Sequence, residues 1–400
     1  MMKIGLVLPA PPGYSETFFR SKIRGLQEAG HDVLLFTGRQ DKTGTTGLNC
    51  SIHCSPDVSG SALERLWHSG RALLKVLLTA PTAGLKLYQL HRQAGDSMAQ
   101  ALRSLIINSH ILPHRIDWLH FGFATMGVSR EFVGKAIGAK IAVSFRGYDI
   151  SIYPLKHNRV YDRLWSNLDK VHTISDDMLN RAYELGLPHN IPVEKITPAI
   201  QAEHFLNPNG IRPIIQPVRI LTVGRMHWKK GGELMLDALA ALKEEGIPFE
   251  FTWAGDGPEK ERLCFAVHQH QLEESVHFLG KVPHQRIPKL MHEHDIYLQY
   301  SIQEGFCNAV LEAQAAGMLT VVSDAEGLGE NVLAGKTGWV VSKLNSKALS
   351  DTLKEIINLK ENQQIEIRNN ASKRVQQYFR IEQQQQAFKH FYKTSFLNKE

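Results

Sequence analysis

The chain has 400 residues, 43% of them hydrophobic and 22% charged, with a formal net charge of +6 at pH 7. At about 100–200 residues per domain this length predicts two domains, and the composition excludes a collagen-like, coiled-coil or extensively disordered chain. The basic excess suits a phosphate, a membrane surface or a nucleic acid as partner and does not choose among them.

No apolar run approaches the roughly 18–20 residues that span a bilayer. The opening Met1-Met2-Lys3-Ile4-Gly5-Leu6-Val7-Leu8-Pro9 is too short for a signal peptide and has no small-residue cleavage site. It reads as a first strand and predicts a cytoplasmic protein, peripheral at most at the inner face of the plasma membrane. After strand Lys3–Leu8, Ser15 is the candidate N-cap of a helix carrying Phe18, Phe19, Ile23 and Leu26. Gly30 suits the end of that helix, and Val33–Phe36 is a second buried strand. This βαβ unit implies a parallel sheet, with further strands at Trp118–Phe121, Ile141–Phe145, Val171–Ser175 and Lys195–Thr197.

Cys50 and Cys54 flank His53, but no second ligand pair follows at zinc-like spacing, so the four cysteines read as free thiols. Leu63–Leu78 reads as a basic amphipathic helix. Leu63, Leu66, Trp67, Leu73, Leu74, Leu77 and Leu78 form one stripe, with Arg65, His68, Arg71 and Lys75 among them. Two readings stay open: a helix lying on an anionic bilayer, or a core-facing helix with a wet basic face.

Pro208, Gly210, Pro213 and Pro217 mark a break, which divides the chain into 1–205 and 206–379, with a last helix at about 380–397 packing back on the first domain. The second half repeats the first: strand Arg219–Val223, helix Glu233–Glu245, then strands Phe249–Ala254, Val276–Leu279, Ile296–Tyr300 and Leu319–Val322. The expected architecture is α/β, two Rossmann-like doubly wound parallel-sheet domains facing a cleft that holds the ligands.

Three segments carry chemistry. Strand Arg219–Val223 runs into Gly224-Arg225-Met226-His227-Trp228-Lys229-Lys230-Gly231-Gly232 and a helix. Glycines at such a turn let amides approach a phosphate, Arg225 forks onto its oxygens and Lys230 adds a point charge. A solvated basic turn is the alternative. Next, Glu304-Gly305-Phe306-Cys307-Asn308 leads into a helix with Glu312 two turns on, so both carboxylates can share one face. One would meet a sugar, the other a ribose, while free amides at Phe306–Asn308 cap a second phosphate. Either glutamate alone also fits a purely structural role. Last, Gly255-Asp256-Gly257-Pro258 is a tight turn in which Asp256 is either structural or functional.

In this order the blocks resemble glycosyltransferase family 4, retaining enzymes of the B-type, two-Rossmann fold, over nearly the whole chain. Glu330-Asn331-Val332 with Gly335-Lys336-Thr337-Gly338 is similar to a further family segment. The first domain resembles the colanic-acid and exopolysaccharide subgroup. The carriers are Ser15-Glu16-Thr17-Phe18, Gly30-His31-Asp32-Val33, His120-Phe121-Gly122 and Phe145-Arg146-Gly147-Tyr148-Asp149. The resemblance implies a hexosyltransferase that moves a sugar from a nucleoside-diphosphate donor to a glycan or lipid-linked acceptor with retention of configuration. It implies His120, Glu304, Arg225 and Lys230 as catalytic. The donor residues would be Gly224, Arg225, Lys230, Gly255, Glu304, Gly305, Phe306, Cys307, Asn308 and Glu312. Glu16, Thr17, Arg146 and Asp149 would lie on the acceptor side.

Arg146 replaces the family's usual histidine, Cys307 a common glycine of the phosphate loop, and Glu326 one of two glycines; Pro198–Glu203 lacks the usual Gly-Val-Asp. No Asp-x-Asp occurs, so transfer without a metal or other cofactor is expected, with the basic pair stabilising the leaving diphosphate. The competing readings are a nucleotide-sugar epimerase and a catalytically silent nucleotide-sugar-binding or membrane-partner subunit. A dehydrogenase is not expected, because neither first strand is followed by Gly-x-Gly-x-x-Gly. A nucleic-acid partner is not expected: no helix-turn-helix, zinc or aromatic RNA motif occurs. His268, His270, His292 and His294 read as surface residues.

Overall fold

The computed structural model describes residues 1–12, 17–38, 50–208, 210–211 and 213–393; the side chain of Thr17 is not among what is described. The chain divides into two compact units, one of Met1–Ile196 with Gln385–Glu400 and one of Thr197–Gln384. Sequence punctuation had put this division at 205/206. Phe379 and Ile200 show why 197–205 goes with the second unit: the Ile200 amide donates to the Phe379 carbonyl at 3.0 Å.

The first unit is a seven-stranded sheet of order β3-β2-β1-β4-β5-β6-β7. Its strands are β1 Lys3–Leu8, β2 Asp32–Thr37, β3 Ser51–Cys54, β4 Trp118–Phe121, β5 Lys140–Phe145, β6 Lys170–Thr173 and β7 Val193–Lys195. Every pairing is parallel, for example Leu6 beside both Leu35 and His120. Helices cover both faces, which is why the central strands are near-continuous apolar runs rather than alternating ones. β3 escaped the sequence pattern because four residues at a sheet edge carry too little periodicity. Ser175, expected in β6, instead caps the helix Asp176–Glu184 by accepting from the Met178 amide at 3.2 Å.

Residues 385–393 of the last helix, Ile381–Lys393, cover this unit's sheet. Phe388, Phe391 and Tyr392 are buried in its core, and Trp118 Nε1 donates to the Tyr392 carbonyl at 3.3 Å. Gln385 lies so close to Gly25 that any Cβ there would collide with it.

The helix Ala62–Thr79 opens with a reciprocal capping box between Ser61 and Glu64. Ala72 and Val76 are its buried residues. Its apolar stripe points outward: Leu63 is 80% exposed, Leu66 72%, Trp67 66%, Leu74 54%, Leu77 66% and Leu78 72%. The core-facing alternative therefore fails for this stripe, apart from the half-buried Leu73.

The second unit is a six-stranded parallel sheet of order β10-β9-β8-β11-β12-β13. Here β8 is Val218–Val223, β9 Phe249–Ala254, β10 Val276–Gly280, β11 Ile296–Gln299, β12 Leu319–Ser323 and β13 Trp339–Val341. The sheet direction of chain progress reverses at β8, which lies between β9 and β11. In such sheets the loops leaving the two central strands diverge and open a crevice at their carboxyl ends. β8 runs into the Arg225–Lys230 loop and β11 into the Glu304 loop, the segments singled out from sequence.

Candidate active site in the second unit

The glycines of the second unit hold two loops together by backbone contact. Gly224 and Gly255 both have φ of +157°, and a Cβ on Gly255 would collide with the Gly224 carbonyl. A Cβ on Gly257 would likewise meet the Met226 carbonyl. The Met226 amide donates to the Asp256 carbonyl at 3.1 Å, and Trp253 Nε1 to the Gly224 carbonyl at 2.9 Å. Asp256 Oδ1 accepts from the Gly257 amide at 2.9 Å, which makes that residue a turn former. Gly231, at φ +64°, is pressed against the Tyr300 carbonyl. The Ile302 amide donates to the Lys229 carbonyl at 2.6 Å, tying the basic loop to the acidic one.

This frame places Lys230 Nζ in direct contact with Glu304 Oε2. Burial opposes the lysine's charge, but the adjoining Glu304 carboxylate outweighs it and holds the pKa above the ordinary lysine value. Lys230 is thus cationic, half-buried and fixed. Arg225, two residues past the end of β8, is exposed. Glu312 lies about one turn into the helix Asn308–Ala315, half-buried, and takes a 3.5 Å contact from His284 Nε2. The bond to Glu312 raises the pKa of His284 against a smaller opposing effect of burial. So Arg225, Lys230 and Glu304 come from two joined loops and Glu312 from the helix after the second, with Lys230 and Glu304 touching and Glu312 paired elsewhere. His284 was missed from sequence; no spacing connects it to Glu312, 28 residues on.

The phosphate-loop expectation needs correction at Cys307. Its amide donates to Asn331 Oδ1 at 3.1 Å, and Asn331 Nδ2 returns a bond to the Cys307 carbonyl at 2.9 Å. That amide is therefore not free for a phosphate. The Cys307 thiol sits 3.6 Å from Gln299 Oε1, and burial pushes its pKa up to about 11, so it stays protonated. Gly305 and Phe306 are buried and Asn308 is half-buried at the start of the helix. Glu326 adopts φ +47°, where the resemblance has glycine, and accepts from Gln303 Nε2 at 2.6 Å beside Glu304. His292, expected at the surface, donates its Nε2 proton to the Phe205 carbonyl at 2.7 Å. Among the described residues no group of three or more His, Cys, Asp or Glu is arranged to hold a metal ion.

The first unit treats its expected residues differently. His120 is 0% exposed and both ring nitrogens are taken. The only acceptor at the far end of the chain of bonds is the Ile196 carbonyl, and this fixes every tautomer. His172 Nε2 donates to it at 3.0 Å, Ser144 Oγ donates to His172 Nδ1 at 2.7 Å, His120 Nε2 to Ser144 Oγ at 2.7 Å, and the Tyr392 hydroxyl to His120 Nδ1 at 2.7 Å. Lys22 Nζ lies 3.3 Å from His120 and 4.3 Å from the Phe388 ring centre. Burial drives the pKa values of Lys22, His120 and His172 well below their ordinary values, which leaves both imidazoles neutral and disfavours the charge on Lys22. The structure thus offers His120 no face toward a donor sugar.

Asp149 is also structural. Its Oδ2 accepts from the Ala124 amide at 2.9 Å, and its Oδ1 from the amides of Arg146 at 3.0 Å and Gly147 at 2.9 Å. The Arg146 guanidinium stacks 3.1 Å over the Phe18 ring centre. Glu16 and the Thr17 side chain lie outside the described residues.

Residues 214–375 match the family model described as glycosyl transferases group 1. The chain is 27% identical over 373 residues to the putative colanic acid biosynthesis glycosyltransferase WcaL of Escherichia coli (strain K12), covering 88% of this chain and 90% of that one. It is 28% identical over 371 residues, with the same coverage, to the amylovoran biosynthesis glycosyltransferase AmsK of Erwinia amylovora. A solved glycosyltransferase from Rickettsia africae ESF-5 superposes with a TM-score of 0.71 at 17% identity, covering 100% and 99% of the two chains. Anabaena Alr3699/HepE, solved in complex with UDP, gives 0.71 at 15% identity, covering 98% and 99%. The protein is a glycosyltransferase with two parallel-sheet α/β domains of the B-type fold. Along most of its length it is similar to enzymes of exopolysaccharide assembly.

Proposed function

We propose that the enzyme is a retaining hexosyltransferase whose second unit binds a nucleoside-diphosphate sugar and whose first unit receives a glycan or lipid-linked acceptor. The observation that carries this is the fixed, charged Lys230 against Glu304, with exposed Arg225 on the same loop, at the carboxyl ends of β8 and β11. Arg225 and Lys230 bind the donor diphosphate and stabilise the charge that develops as it leaves. Glu304 orients Lys230 and meets the sugar, and Glu312 takes the ribose hydroxyls. Gly224 and Gly255 keep the loop backbone low enough for the donor to approach. Nothing in this step calls on a metal: the bond from the anomeric carbon to the diphosphate oxygen breaks, the acceptor hydroxyl bonds to that carbon from the same face, and its proton passes to the departing oxygen.

The enzyme works at the inner face of the plasma membrane, held by the outward apolar stripe of Ala62–Thr79 and its basic residues Arg65, Arg71 and Lys75. No helix among the described residues is long and apolar enough to cross a membrane.

Thermal unfolding with UDP, GDP, ADP and their sugars tests the donor site. A ligand at about 100 times its dissociation constant adds roughly 2.7 kcal/mol to the folded state. Stabilisation by one base, absent in an R225A/K230A double variant, is expected. A flat response to all three bases would undercut the donor-site assignment and favour a silent membrane-partner subunit. EDTA should leave transfer unchanged, and vesicle sedimentation should show binding to anionic lipid that Trp67→Ser weakens.

A further inference from the structure

The first unit has a cavity of about 250 Å³ at the carboxyl ends of β1 and β2, lined among others by Pro9, Thr37, Gly38, His110, Met126 and Arg130. That is below the roughly 300–1,000 Å³ of pockets for whole small molecules, and suits one compact group. Its charged wall is cationic. Arg130 Nη1 donates to the Met126 carbonyl at 3.2 Å, while its Nε is buried without a partner. Among the described residues Arg130 has no ion pair. The carboxylate acting on it, Glu131, already accepts from the Ser129 amide at 3.0 Å. His110 is 3% exposed and its Nδ1 has no partner.

More positive charge stands behind it. The rings of His53 and His114 lie 4.1 Å apart, and both, with His110, pack around Phe36. Burial first, then Arg130 and Lys75, bring His110 down to about 3; burial first, then His53 and Lys75, bring His114 to about 4. A half-buried guanidinium with a shielded, unpartnered Nε, beside a histidine that burial keeps neutral, is a cation that lacks its anion. Arginine's fork matches phosphate geometry, and the ends of parallel strands are where α/β sheets take such groups. Lys75, which acts on His53, His110 and His114, belongs to the helix whose leucine stripe faces outward.

We propose that Arg130 and His110 bind the phosphate or diphosphate through which a lipid carrier bears the acceptor, with the carrier's membrane held on the outer face of the helix Ala62–Thr79. This rests on the reading of the enzyme as a transferase to lipid-linked acceptors, and adds the group by which the acceptor is gripped. The anion is not transferred and no covalent step occurs here.

The test uses the full chain and three probes: phosphatidylcholine vesicles carrying a long-chain isoprenyl phosphate, vesicles of equal charge carrying phosphatidylglycerol, and inorganic pyrophosphate. Wild type should prefer the isoprenyl phosphate vesicles by about tenfold or more, as charge-assisted phosphate bonds allow. Millimolar pyrophosphate should compete that preference away. R130Q should bind both vesicles alike, and R130K should recover part of the preference. H110Q, which removes no charge, serves if the Arg130 variants do not fold, and should also lower it. Equal binding of both vesicles by wild type overturns the proposal, as does an unchanged preference in R130Q or, where that fails to fold, in H110Q. Pyrophosphate binding lost in R130Q without any lipid preference overturns the lipid carrier and leaves a free-phosphate site. UDP stabilisation is read on the same samples: its loss with the vesicle preference intact strikes the donor assignment alone.

Discussion

Lys230 and Lys22 are both withdrawn from water, one in each unit, and they meet opposite fates. Lys230 is joined to Glu304, and the carboxylate keeps it charged despite burial. Lys22 is 1% exposed, sits against His120 and two aromatic rings, and has its pKa driven well down. The first remains a cation that a diphosphate can share; the second has its charge disfavoured, beside the bonded chain that runs from Tyr392 to Ile196. Burial alone does not mark a functional lysine. The partner that offsets desolvation does.

The strongest test of that contrast is Glu304→Ala. It strips Lys230 of its partner and removes the proposed sugar contact, and should lower kcat by roughly 10²–10³ in a donor-turnover assay. Turnover within a few-fold of wild type would break the assignment. His120→Ala should act in the other currency, costing about 2–4 kcal/mol of unfolding free energy by opening a cavity and stranding the Tyr392 and Ser144 hydroxyls. Its kcat should stay near wild type where the protein is folded; a catalytic collapse at unchanged stability would return His120 to the reacting centre.

Lys22→Met sharpens the comparison through pH. Below an ordinary lysine pKa of 10.5 the unfolded chain holds a proton that folded Lys22 refuses. Wild-type stability should therefore rise with pH between the depressed folded pKa and 10.5, by up to about 1.4 kcal/mol per unit, relative to the methionine variant. Parallel stability–pH curves for the two proteins would show that Lys22 keeps its charge. The smallest effect is at His284, half in solvent. Its raised pKa means the contribution of its contact with Glu312 is full below 6.5 and fades as pH climbs through the folded value. Titrating the imidazole by NMR should give a value that falls toward 6.5 in Glu312→Gln.

The central strands and the two loops of the proposed donor site were legible because local runs specify them: Lys3–Leu8, Arg219–Val223, and the glycine-and-charge patterns that follow. What was not legible depends on partners far along the chain. His120 stands at a strand end in the expected motif, yet which face it presents is set by Tyr392, 272 residues away. The Cys307 amide looks free in sequence, and Asn331, 24 residues on, takes it. The stripe of Ala62–Thr79 has the same period whether it faces in or out. Only Ala72 and Val76, the residues that became buried, decide it.

The crossing of the Gly224 and Gly255 loops has a consequence for how such chains are recognised. Gly255 and Gly257 are demanded by two backbones touching, and Gly224 by its φ of +157°, whether or not a sugar is ever transferred. A descendant that lost Glu304 or Lys230 would keep them in order to fold, and would still look like an enzyme to any search keyed on Gly-x-Gly. The pair of opposite charges is the mark of working chemistry; the glycines are the mark of ancestry.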